Sequence, residues 1–365
     1  MRSLADLTLV IPAYNRPAYL ERQIDYWSAT DVRLCILDGS KESAPQSLID
    51  RMGPNVYYRH LPIGFNERLV MACDLVQTKY VALLGDDELY APQGLRDCIN
   101  QLEADKRLVV TVGRSMFFFH RDGEIIGHQT YEKSQNLVNT FGSDIDRLNE
   151  SLVDITRGPY LLYGLFNADQ WKTAVRVSYG RKYASGYVYE FAFHLIATLL
   201  GPSTMVDSLV WMRSGENPAM SSDAVNRKIG IGEWGTDPQF FDEVTYLIDA
   251  VVGAVANEGR FTTDELQIAV RQGVERFVGY SLHKPQRPIA YWHRTLYLLA
   301  RHTPTVLKRL LKQKMSSGLG KVLDYRGMPM SEAVDEMQKR GVALNEAEMK
   351  SMESFLLNFR QNKMN

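Results

Sequence analysis

The stretch LTLVIPAYN, residues 7–15, decides the fold class that this chain is expected to adopt. Its first six residues are almost continuously apolar, which is typical of a strand buried on both faces of a parallel sheet. Asn15 is a favoured helix N-cap residue and Pro17 suits a first helical turn. Apolar residues then recur at helical spacing, at Leu20, Ile24 and Trp27. A buried strand followed by an amphipathic helix is the repeating unit of an α/β fold.

The same alternation continues to about Val112. Further strands are predicted at Arg33–Leu37, Asn55–Leu61 and Tyr80–Leu84, with a helix over 66–76. Beyond Leu108 the pattern changes to strands joined by a tight turn at Asp122-Gly123, a pair that favours hairpins. We therefore predict an α/β fold with a mixed, mainly parallel sheet that is flanked by helices.

Acidic residues follow two of the predicted strands. Asp38 ends the second strand, and YVALLGDDE places Asp86, Asp87 and Glu88 directly after the fourth. Ligands of open α/β sheets bind beyond the carboxyl ends of the strands. Adjacent carboxylates repel one another unless a cation lies among them, and hard oxygen ligands suit Mg²⁺ or Mn²⁺. The alternative interpretation of the triplet is a solvated acidic turn.

Composition excludes several other classes of protein. The 365 residues carry 42 Lys and Arg against 43 Asp and Glu, so the net charge of -1 gives no global reason to expect nucleic acid, and any polyanion site must be local. The three cysteines fit neither a disulfide framework nor a metal knuckle, and are expected to be reduced and buried. Neither a secretion signal nor a long apolar run is visible, so we expect a cytoplasmic protein that does not span a membrane.

Three motifs in register resemble the family 2 glycosyltransferases, which have the GT-A fold. They are VIPAYNRPAYLERQI, LDGS and YVALLGDDE, and the likeness extends from about Leu7 to Asp97. The resemblance implies a divalent metal (Mn²⁺ or Mg²⁺) and a nucleotide-diphospho-sugar donor, with a UDP-sugar as the first expectation. It implies transfer to a saccharide or lipid-linked acceptor, in the synthesis of bacterial cell-surface polysaccharides or glycoconjugates.

The resemblance also assigns roles at the strand ends. Asp38 would bond to the base or ribose, since a carboxylate can accept a hydrogen bond from an imide N–H or a hydroxyl. Asp87 aligns with the metal-ligating acid, while Gly85 stands where the family has another acid. Asp86 or Glu88 would then substitute as metal ligands, and Asp86 would also border the nucleotide. The residues that would line the nucleotide pocket are Pro12, Ala13, Tyr14 and Asn15.

Three further residues are candidates on the same grounds. Glu190, in GYVYEFAFHLIATLLG, occupies the place of the general base of an inverting transfer; a helix-surface residue is the alternative, and retention of configuration stays open. Arg213 lies in a late strand where a basic residue can meet the diphosphate. Arg68, on the helix after Gly64, could approach the phosphates. For both arginines a surface position is the competing interpretation.

The domain organisation is predicted from the change in pattern. Residues 1–235 would form the GT-A domain, with a nucleotide-binding half (1–112) and an acceptor-binding half (113–235), and 236–365 a helical C-terminal region. Residues 129–157 are expected to form a long loop or irregular helices. The basic, amphipathic stretch 281–325 could lie on an anionic membrane, so that the protein would be peripheral on its inner face. A solvated helix face or a contact in a homo-oligomer would explain the stretch equally well.

Two rival functions remain at this point. A sugar nucleotidyltransferase would use a similar sheet, but such enzymes usually carry a glycine-rich phosphate loop where this chain has PAYNRP. A catalytically degenerate GT-A fold that serves as a binding or assembly module is the second rival. Gly85 in place of an acid favours it, whereas the presence of Asp87 and Glu190 opposes it.

Overall fold

The computed structural model describes residues 3–130, 145–148, 160–217, 229–256, 262–283 and 327–363. These residues form a ten-stranded sheet with helices on both faces. The predicted α/β class, with a mixed sheet flanked by helices and further helices on the C-terminal side, is confirmed. The three cysteines are free and buried, also as predicted.

The first part of the chain builds the parallel section of the sheet. Its elements are β1 (Leu7–Ala13), α1 (Pro17–Trp27), β2 (Arg33–Asp38), α2 (Gln46–Ile49), β3 (Val56–His60), α3 (Phe65–Leu75) and β4 (Tyr80–Leu83). Strand β1 pairs in parallel with both β2 and β4, and β2 pairs in parallel with β3. The predicted strands and the helix over 66–76 are therefore confirmed to within about one residue at their ends.

The second part adds antiparallel pairs. Its elements are β5 (Leu89–Tyr90), α4 (Pro92–Ala104), β6 (Val110–Arg121), β7 (Glu124–Thr130), a 3₁₀ turn (Tyr160–Tyr163), β8 (Leu165–Asn167), α5 (Ala168–Tyr179), α6 (Tyr187–Leu200) and β9 (Ser203–Ser214). The hairpin between β6 and β7 is confirmed, with φ of 52° at Asp122 and 80° at Gly123. Strand β9 runs parallel to β6, and β5 pairs antiparallel with β9.

The C-terminal elements return to the same sheet. They are α7 (Ile231–Thr236), α8 (Phe241–Ala256), α9 (Thr263–His283), β10 (Met328–Pro329), α10 (Met330–Lys339) and α11 (Glu346–Lys363). Strand β10 pairs antiparallel with β7. Whether 1–235 and 236–365 are separate domains stays a prediction, but residues 327–363 add a strand to the sheet.

Side chains alternate between the two faces of the sheet, as the period of a strand requires. On one face Leu9 and Ile11 pack with α1 and α4, and on the other Val10 and Leu37 pack with α3, α5, α6, α8 and α9. A third cluster joins β6 to α10 and α11, for example through Phe118. Helix α6 is buried along almost its whole length, which explains its continuously apolar sequence.

The predicted N-cap at Asn15 is wrong. Arg16 is the N-cap residue of α1, and Asn15 lies before it with φ of 52°. Asparagine tolerates this left-handed backbone better than most residues, and the Asn15 amide donates to Ser40 Oγ at 2.8 Å. Asn15 therefore turns the chain at the end of β1 instead of capping the helix.

Two sequence predictions fall largely outside the described residues. Of the predicted loop 129–157, the structure describes residues 129–130, at the end of β7, and the helical turn 145–148. Of the basic stretch 281–325, it describes residues 281–283, at the end of α9. Within the described ranges, the helices are all too short or too polar to cross a bilayer.

Candidate active site

The ends of β1, β2 and β4 meet at one rim of the sheet. Ala13 is in register with Asp38, and the Gly39 amide donates to the Ala13 carbonyl at 2.9 Å. The Tyr14 amide faces Asp86 Oδ2 at 3.4 Å. Pro12 and Ala13 are buried, whereas Tyr14 and Asn15 are exposed above them. The predicted nucleotide-binding residues are thus brought together with the acidic turn, although their role stays a prediction.

Arg16 supplies the positive charge that the acidic turn requires. Its Nη1 lies 2.9 Å from Asp86 Oδ1 and 3.5 Å from Asp87 Oδ2, so a single nitrogen bridges the two carboxylates. The three side chains are largely buried, with 16% of Arg16, 2% of Asp86 and 14% of Asp87 exposed. Asn217 Nδ2 also donates to Asp87 Oδ2, at 3.0 Å.

The Asp86 carboxyl has a perturbed pKa. Burial and the neighbouring Asp87 charge raise its pKa to about 6, although Arg16 and the Tyr14 amide act in the opposite direction. The pKa is raised because two adjacent carboxylate charges are unfavourable where little water can solvate them. An additional cation at this pair would relieve that cost.

The backbone of the acidic turn is held from below by α1. Gln23, which is fully buried, donates to the carbonyls of Asp86 at 2.9 Å and Glu88 at 2.6 Å, with a longer contact to Gly85 at 3.4 Å. The Arg22 guanidinium donates to the Asp87 carbonyl. Because these donors fix the backbone, the side chains of Asp86 and Asp87 are held at the rim.

The structure does not bring Glu88 to the acid pair. Its side chain is buried, and Glu88 Oε2 accepts from Trp211 Nε1 at 3.0 Å and from the Gly85 amide at 3.3 Å. Burial and the Asp87 charge raise the Glu88 pKa to about 8, against the effect of the Trp211 bond and the Arg213 charge. Glu88 therefore braces the turn from inside, and its role as a substitute metal ligand stays a prediction.

Asp38 is buried at the end of β2 and already accepts several hydrogen bonds. Asp38 Oδ1 accepts from the Ser40 amide at 3.0 Å and from the Ser40 hydroxyl, and Oδ2 accepts from Tyr58 OH at 2.8 Å. A carboxylate offers about four acceptor positions, so capacity for one further bond remains. A base imide or a ribose hydroxyl could occupy it.

Arg68 lies beneath the rim instead of projecting from the helix surface. It is 2% exposed, and its Nη1 donates to the carbonyls of Ala13 and Leu37, the latter at 2.7 Å. Burial lowers its pKa, while the Asp38 and Asp86 charges act in the opposite direction. A Cβ at Gly39 would lie only 2.5 Å from the guanidinium carbon, which explains the glycine. Direct phosphate contact by Arg68 stays a prediction, but its charge lies under the site.

A buried charged network connects the acidic turn to the C-terminal helix. Arg22 Nη1 donates to Glu216 Oε2 at 2.7 Å, and His120 Nδ1 bonds to the other oxygen of Glu216. His120 Nε2 contacts the Leu356 carbonyl of α11 at 3.0 Å. Burial alone would raise the Glu216 pKa, but His120 and Arg22 together lower it to about 2. Glu216 is therefore ionised at neutral pH.

Glu190 lies in the first turn of α6. Since β8 is antiparallel to β4, α5 runs back toward the rim, and α6 starts from that side. Tyr179 at the end of α5 contacts Phe65 at 6.1 Å and stacks on Tyr189 at 5.4 Å between ring centroids. Burial first, and then the Glu190 charge, raise the pKa of Tyr179. Glu190 is half-buried beside this aromatic group, and Arg213 is half-buried near the end of β9.

The acid pair fits a hard divalent cation that is bound jointly with phosphate. Within the described parts of the chain, His, Cys, Asp and Glu side chains do not gather in groups of three that could hold a metal. Mg²⁺ is commonly bound by one or two carboxylates plus substrate phosphates. Asp86 and Asp87 supply that number, so a diphosphate would have to complete the coordination.

Sequence reasoning missed Arg16, Arg22, Gln23 and Glu216. Arg16 was visible as a basic residue directly after the predicted strand-end motif, opposite the carboxylates in the same predicted rim. Gln23 follows Leu20 by three residues and precedes Trp27 by four, so helical periodicity places it on the buried face of α1. A polar residue at such a position needs a partner, which was the available signal.

Residues 8–157 match the family model described as glycosyl transferase family 2, which confirms the resemblance found in the motifs. In the comparison with curated protein sequences, nothing matches.

The comparison with solved structures matches TarS and a glucosyl-3-phosphoglycerate synthase. The Staphylococcus aureus TarS structure aligns over 83% of this chain and 50% of the TarS chain, with 11% identity and a TM-score of 0.47. This chain thus spans about half the length of TarS. The alignment with TarS 1-349 in complex with UDP covers 83% and 82%, with 11% identity and a TM-score of 0.48. Glucosyl-3-phosphoglycerate synthase from Mycobacterium tuberculosis, in complex with Mn²⁺, UDP and phosphoglyceric acid, aligns over 67% of this chain and 78% of the synthase chain. The identity is 17% and the TM-score is 0.39.

Proposed function

We propose that this family 2 glycosyltransferase uses a nucleotide-diphospho-sugar and a divalent metal, and transfers the sugar to an acceptor hydroxyl with inversion. One observation carries the proposal. In a domain that matches the family, Asp38 and the pair Asp86–Asp87 lie at the same rim of the sheet, at the ends of strands that flank β1. That arrangement offers one acid for a nucleoside and two for a metal-bound diphosphate.

The nucleoside would lie over the ends of β1 and β2. Asp38 would accept from the base or ribose, and the exposed Tyr14 would border the base. An imide N–H can donate to the remaining acceptor position of Asp38, which favours uracil over cytosine because cytosine lacks that donor. UDP-sugars are therefore the first donors to test.

Asp86 and Asp87 would hold Mg²⁺ or Mn²⁺ against the diphosphate. The bound metal would stabilise the negative charge that develops on the departing nucleoside diphosphate. The chain's part is to fix the pair, through Gln23 and Arg22 beneath the turn.

Glu190 is proposed as the general base that accepts the proton of the attacking hydroxyl. Its half-buried position at the start of α6, on the rim side, allows access to an acceptor while limiting solvation. A carboxylate in that environment needs only a modest pKa shift to act as a base. A saccharide or lipid-linked acceptor of the cell surface is the proposed class.

The first experiment measures donor binding. Isothermal titration of the full chain with UDP, GDP, CDP and dTDP, each with and without Mn²⁺, should give tighter binding for UDP than for CDP, and tight binding of UDP only with Mn²⁺. Asp87→Asn should weaken that binding about tenfold or more, which is the usual scale for a coupling between metal and ligand. Equal UDP affinity with and without Mn²⁺ would contradict the metal assignment.

The second experiment separates the base from donor binding. Glu190→Gln should retain UDP and Mn²⁺ affinity while the turnover of a UDP-sugar falls by about 10²–10⁴-fold, the contribution of a positioned base. Full turnover in Glu190→Gln would place the base elsewhere. The anomeric configuration of the product, determined by NMR, decides between inversion and retention.

A further inference from the structure

The acid pair is occupied in the structure by a cation from the protein itself. Arg16 Nη1 lies between Asp86 Oδ1 and Asp87 Oδ2, at 2.9 and 3.5 Å. A metal held by the pair would need these carboxylate oxygens. A guanidinium and a divalent cation cannot share these oxygens at such distances without strong mutual repulsion.

We propose that Arg16 blocks the metal site in the absence of donor and moves onto the diphosphate when the metal–donor complex binds. The inference rests on the proposed function and adds a diphosphate-binding residue that also makes metal binding depend on the donor. Three features of Arg16 and of the acid pair support it.

The first feature is position. Arg16 is the N-cap residue of α1 and follows Asn15, whose left-handed backbone turns the chain at the rim. The guanidinium therefore starts from the same strand end as Tyr14, next to the proposed nucleotide pocket. A side chain of this length can exchange a carboxylate for a phosphate without any backbone movement.

The second feature is charge. The pair and Arg16 together carry one net negative charge when both acids are ionised, which is a weak attraction for a divalent cation. A diphosphate brings several negative charges, so that the metal and Arg16 can both be neutralised in the complex. The planar guanidinium fork matches phosphate oxygens as well as it matches carboxylates.

The third feature is that Asp86 and Asp87 cannot easily move apart to relieve their mutual repulsion. The backbone below it is fixed by Gln23 and Arg22, and the Asp86 side chain is 2% exposed. Removal of Arg16 would therefore leave two carboxylates close together in a poorly solvated position. A metal would then bind them more strongly than before.

The experiment compares Arg16→Gln with a matched control. Arg51 also bridges two acids, Glu21 and Asp25, but on the exposed side of α1. Mn²⁺ binding to the full chain would be followed by electron paramagnetic resonance, with and without UDP. For Arg16→Gln we expect Mn²⁺ alone to bind about tenfold more tightly, and UDP in the presence of Mn²⁺ to bind about tenfold more weakly, within the range of typical coupling between sites. Arg51→Gln should match the wild type in both measurements.

Arg16→Lys provides a second variant that keeps the positive charge. It should leave the affinity for Mn²⁺ alone near the wild-type value, while UDP affinity falls because a single ammonium cannot reproduce the guanidinium fork. Thermal melting of each variant verifies that it is folded. If Arg16→Gln misfolds, tighter Mn²⁺ binding by Arg16→Lys than by the wild type overturns the inference.

The possible outcomes separate this inference from the proposed function. Unchanged Mn²⁺ affinity in Arg16→Gln, with tight binding of UDP and Mn²⁺ by the wild type, overturns the role of Arg16 alone. A wild-type chain that binds neither Mn²⁺ nor UDP overturns both. Opposite changes in the two affinities of Arg16→Gln support the inference, because a merely structural role of Arg16 would weaken both.

Discussion

At the scale of single residues, the acidic turn is shaped by side chains that the reaction itself would not use. Gln23 donates to backbone carbonyls of the turn and also accepts from Trp27 Nε1 at 3.1 Å. Each of these groups is buried, so removal of the Gln23 side-chain amide would leave each of them without a hydrogen-bond partner. The geometry of Asp86 and Asp87 therefore depends on a neutral residue in the middle of α1.

Gln23→Leu should reduce the free energy of unfolding by about 3 kcal/mol, because a buried polar group left without a partner costs roughly 1–3 kcal/mol. Urea unfolding measures the change. Gln46→Leu serves as control, since Gln46 is exposed and donates to the exposed side chain of Asp50, and should alter stability by less than about 0.5 kcal/mol. A Gln23→Leu protein as stable as the wild type would show that the clamp is dispensable.

His194 gives a prediction about pH. It is 3% exposed in α6, and burial lowers its pKa to about 3, whereas an unfolded histidine titrates near 6.5. The unfolded chain therefore gains a proton first as the pH falls. This contribution to stability is complete above pH 6.5 and is lost progressively toward pH 3.

Between pH 6.5 and 5 the loss from His194 should amount to roughly 2 kcal/mol, at about 1.4 kcal/mol per pH unit. His194→Leu removes the titrating group. The free energy of unfolding is measured in urea at pH 6.5 and at pH 5. Between these two pH values it should fall by roughly 2 kcal/mol less in His194→Leu than in the wild type. Equal changes in the two proteins would contradict the assignment.

The acids of the site could be predicted because strand ends are visible in the sequence. Asp38 and Asp87 each follow a short apolar run, and the rim of an α/β sheet collects such ends. Arg16 could not be assigned in the same way. Its direction depends on the left-handed backbone of Asn15, and the favoured use of asparagine before a helix, as an N-cap, pointed to a different geometry.

At the scale of elements, α1, β6, β9 and α11 are joined by one buried charged network. Glu216, just after β9, accepts from Arg22 of α1 and from His120 of β6, and His120 in turn contacts α11. The Arg22 guanidinium also lies 4.5 Å from the Tyr19 ring centroid and 5.7 Å from that of Phe359. A change in α11 can therefore reach the Asp87 carbonyl through three side chains, those of His120, Glu216 and Arg22.

Glu216→Gln should lower the free energy of unfolding by about 3 kcal/mol or more, since breaking a buried ion pair leaves a buried charge without compensation. It should also weaken UDP binding in the presence of Mn²⁺, because Arg22 would hold the acidic turn less firmly. Chemical unfolding and calorimetric titration measure the two effects. Glu103→Gln is the control: Glu103 pairs with Lys79 and Lys106 at the surface, and both quantities should stay at their wild-type values. Wild-type stability of Glu216→Gln would contradict the role of the network.

Strands β1 to β4 and helices α1 and α3 were predictable, because continuous apolar runs and helical spacing of apolar residues are both visible in the sequence. The short elements α2 and β5 and the helix α4 were not predicted. The pairing of distant elements was not. Strand β10 has two residues, Met328 and Pro329, and such a length leaves no periodic pattern to detect. Its pairing with β7 follows from the packing of α10 and α11.

At the scale of the whole molecule, the chain returns to its sheet after residue 326. The larger apolar side chains that α10 and α11 bury against β6 and its neighbours are Met330, Val334, Met337, Met349, Met352 and Leu356. Each such burial contributes roughly 1.5–3 kcal/mol. The described C-terminal segment is therefore a structural part of the sheet that carries the candidate site.

Deletion of residues 327–365 should lower the Tm by more than about 10 °C, since several kcal/mol of buried contacts are removed and each kcal/mol corresponds to about 2–4 °C in a protein of this size class. Differential scanning calorimetry measures the shift. A chain that lacks only residues 361–365 is the control and should melt like the wild type. A deletion variant with the wild-type Tm would show that the segment packs independently.

The short strand β5 has a practical consequence for crystallography. It follows the acidic turn directly, and Leu89 and Tyr90 pair with Met212 and Trp211 of β9, so the two predicted halves of the molecule are joined beside the site. A hinge between those halves would have to break this pairing. In the proposed exchange, the Arg16 side chain moves onto the diphosphate while β5 stays paired with β9. Crystals grown without donor should therefore withstand soaking with UDP and Mn²⁺, and keep their lattice while the difference density reveals where the guanidinium has gone.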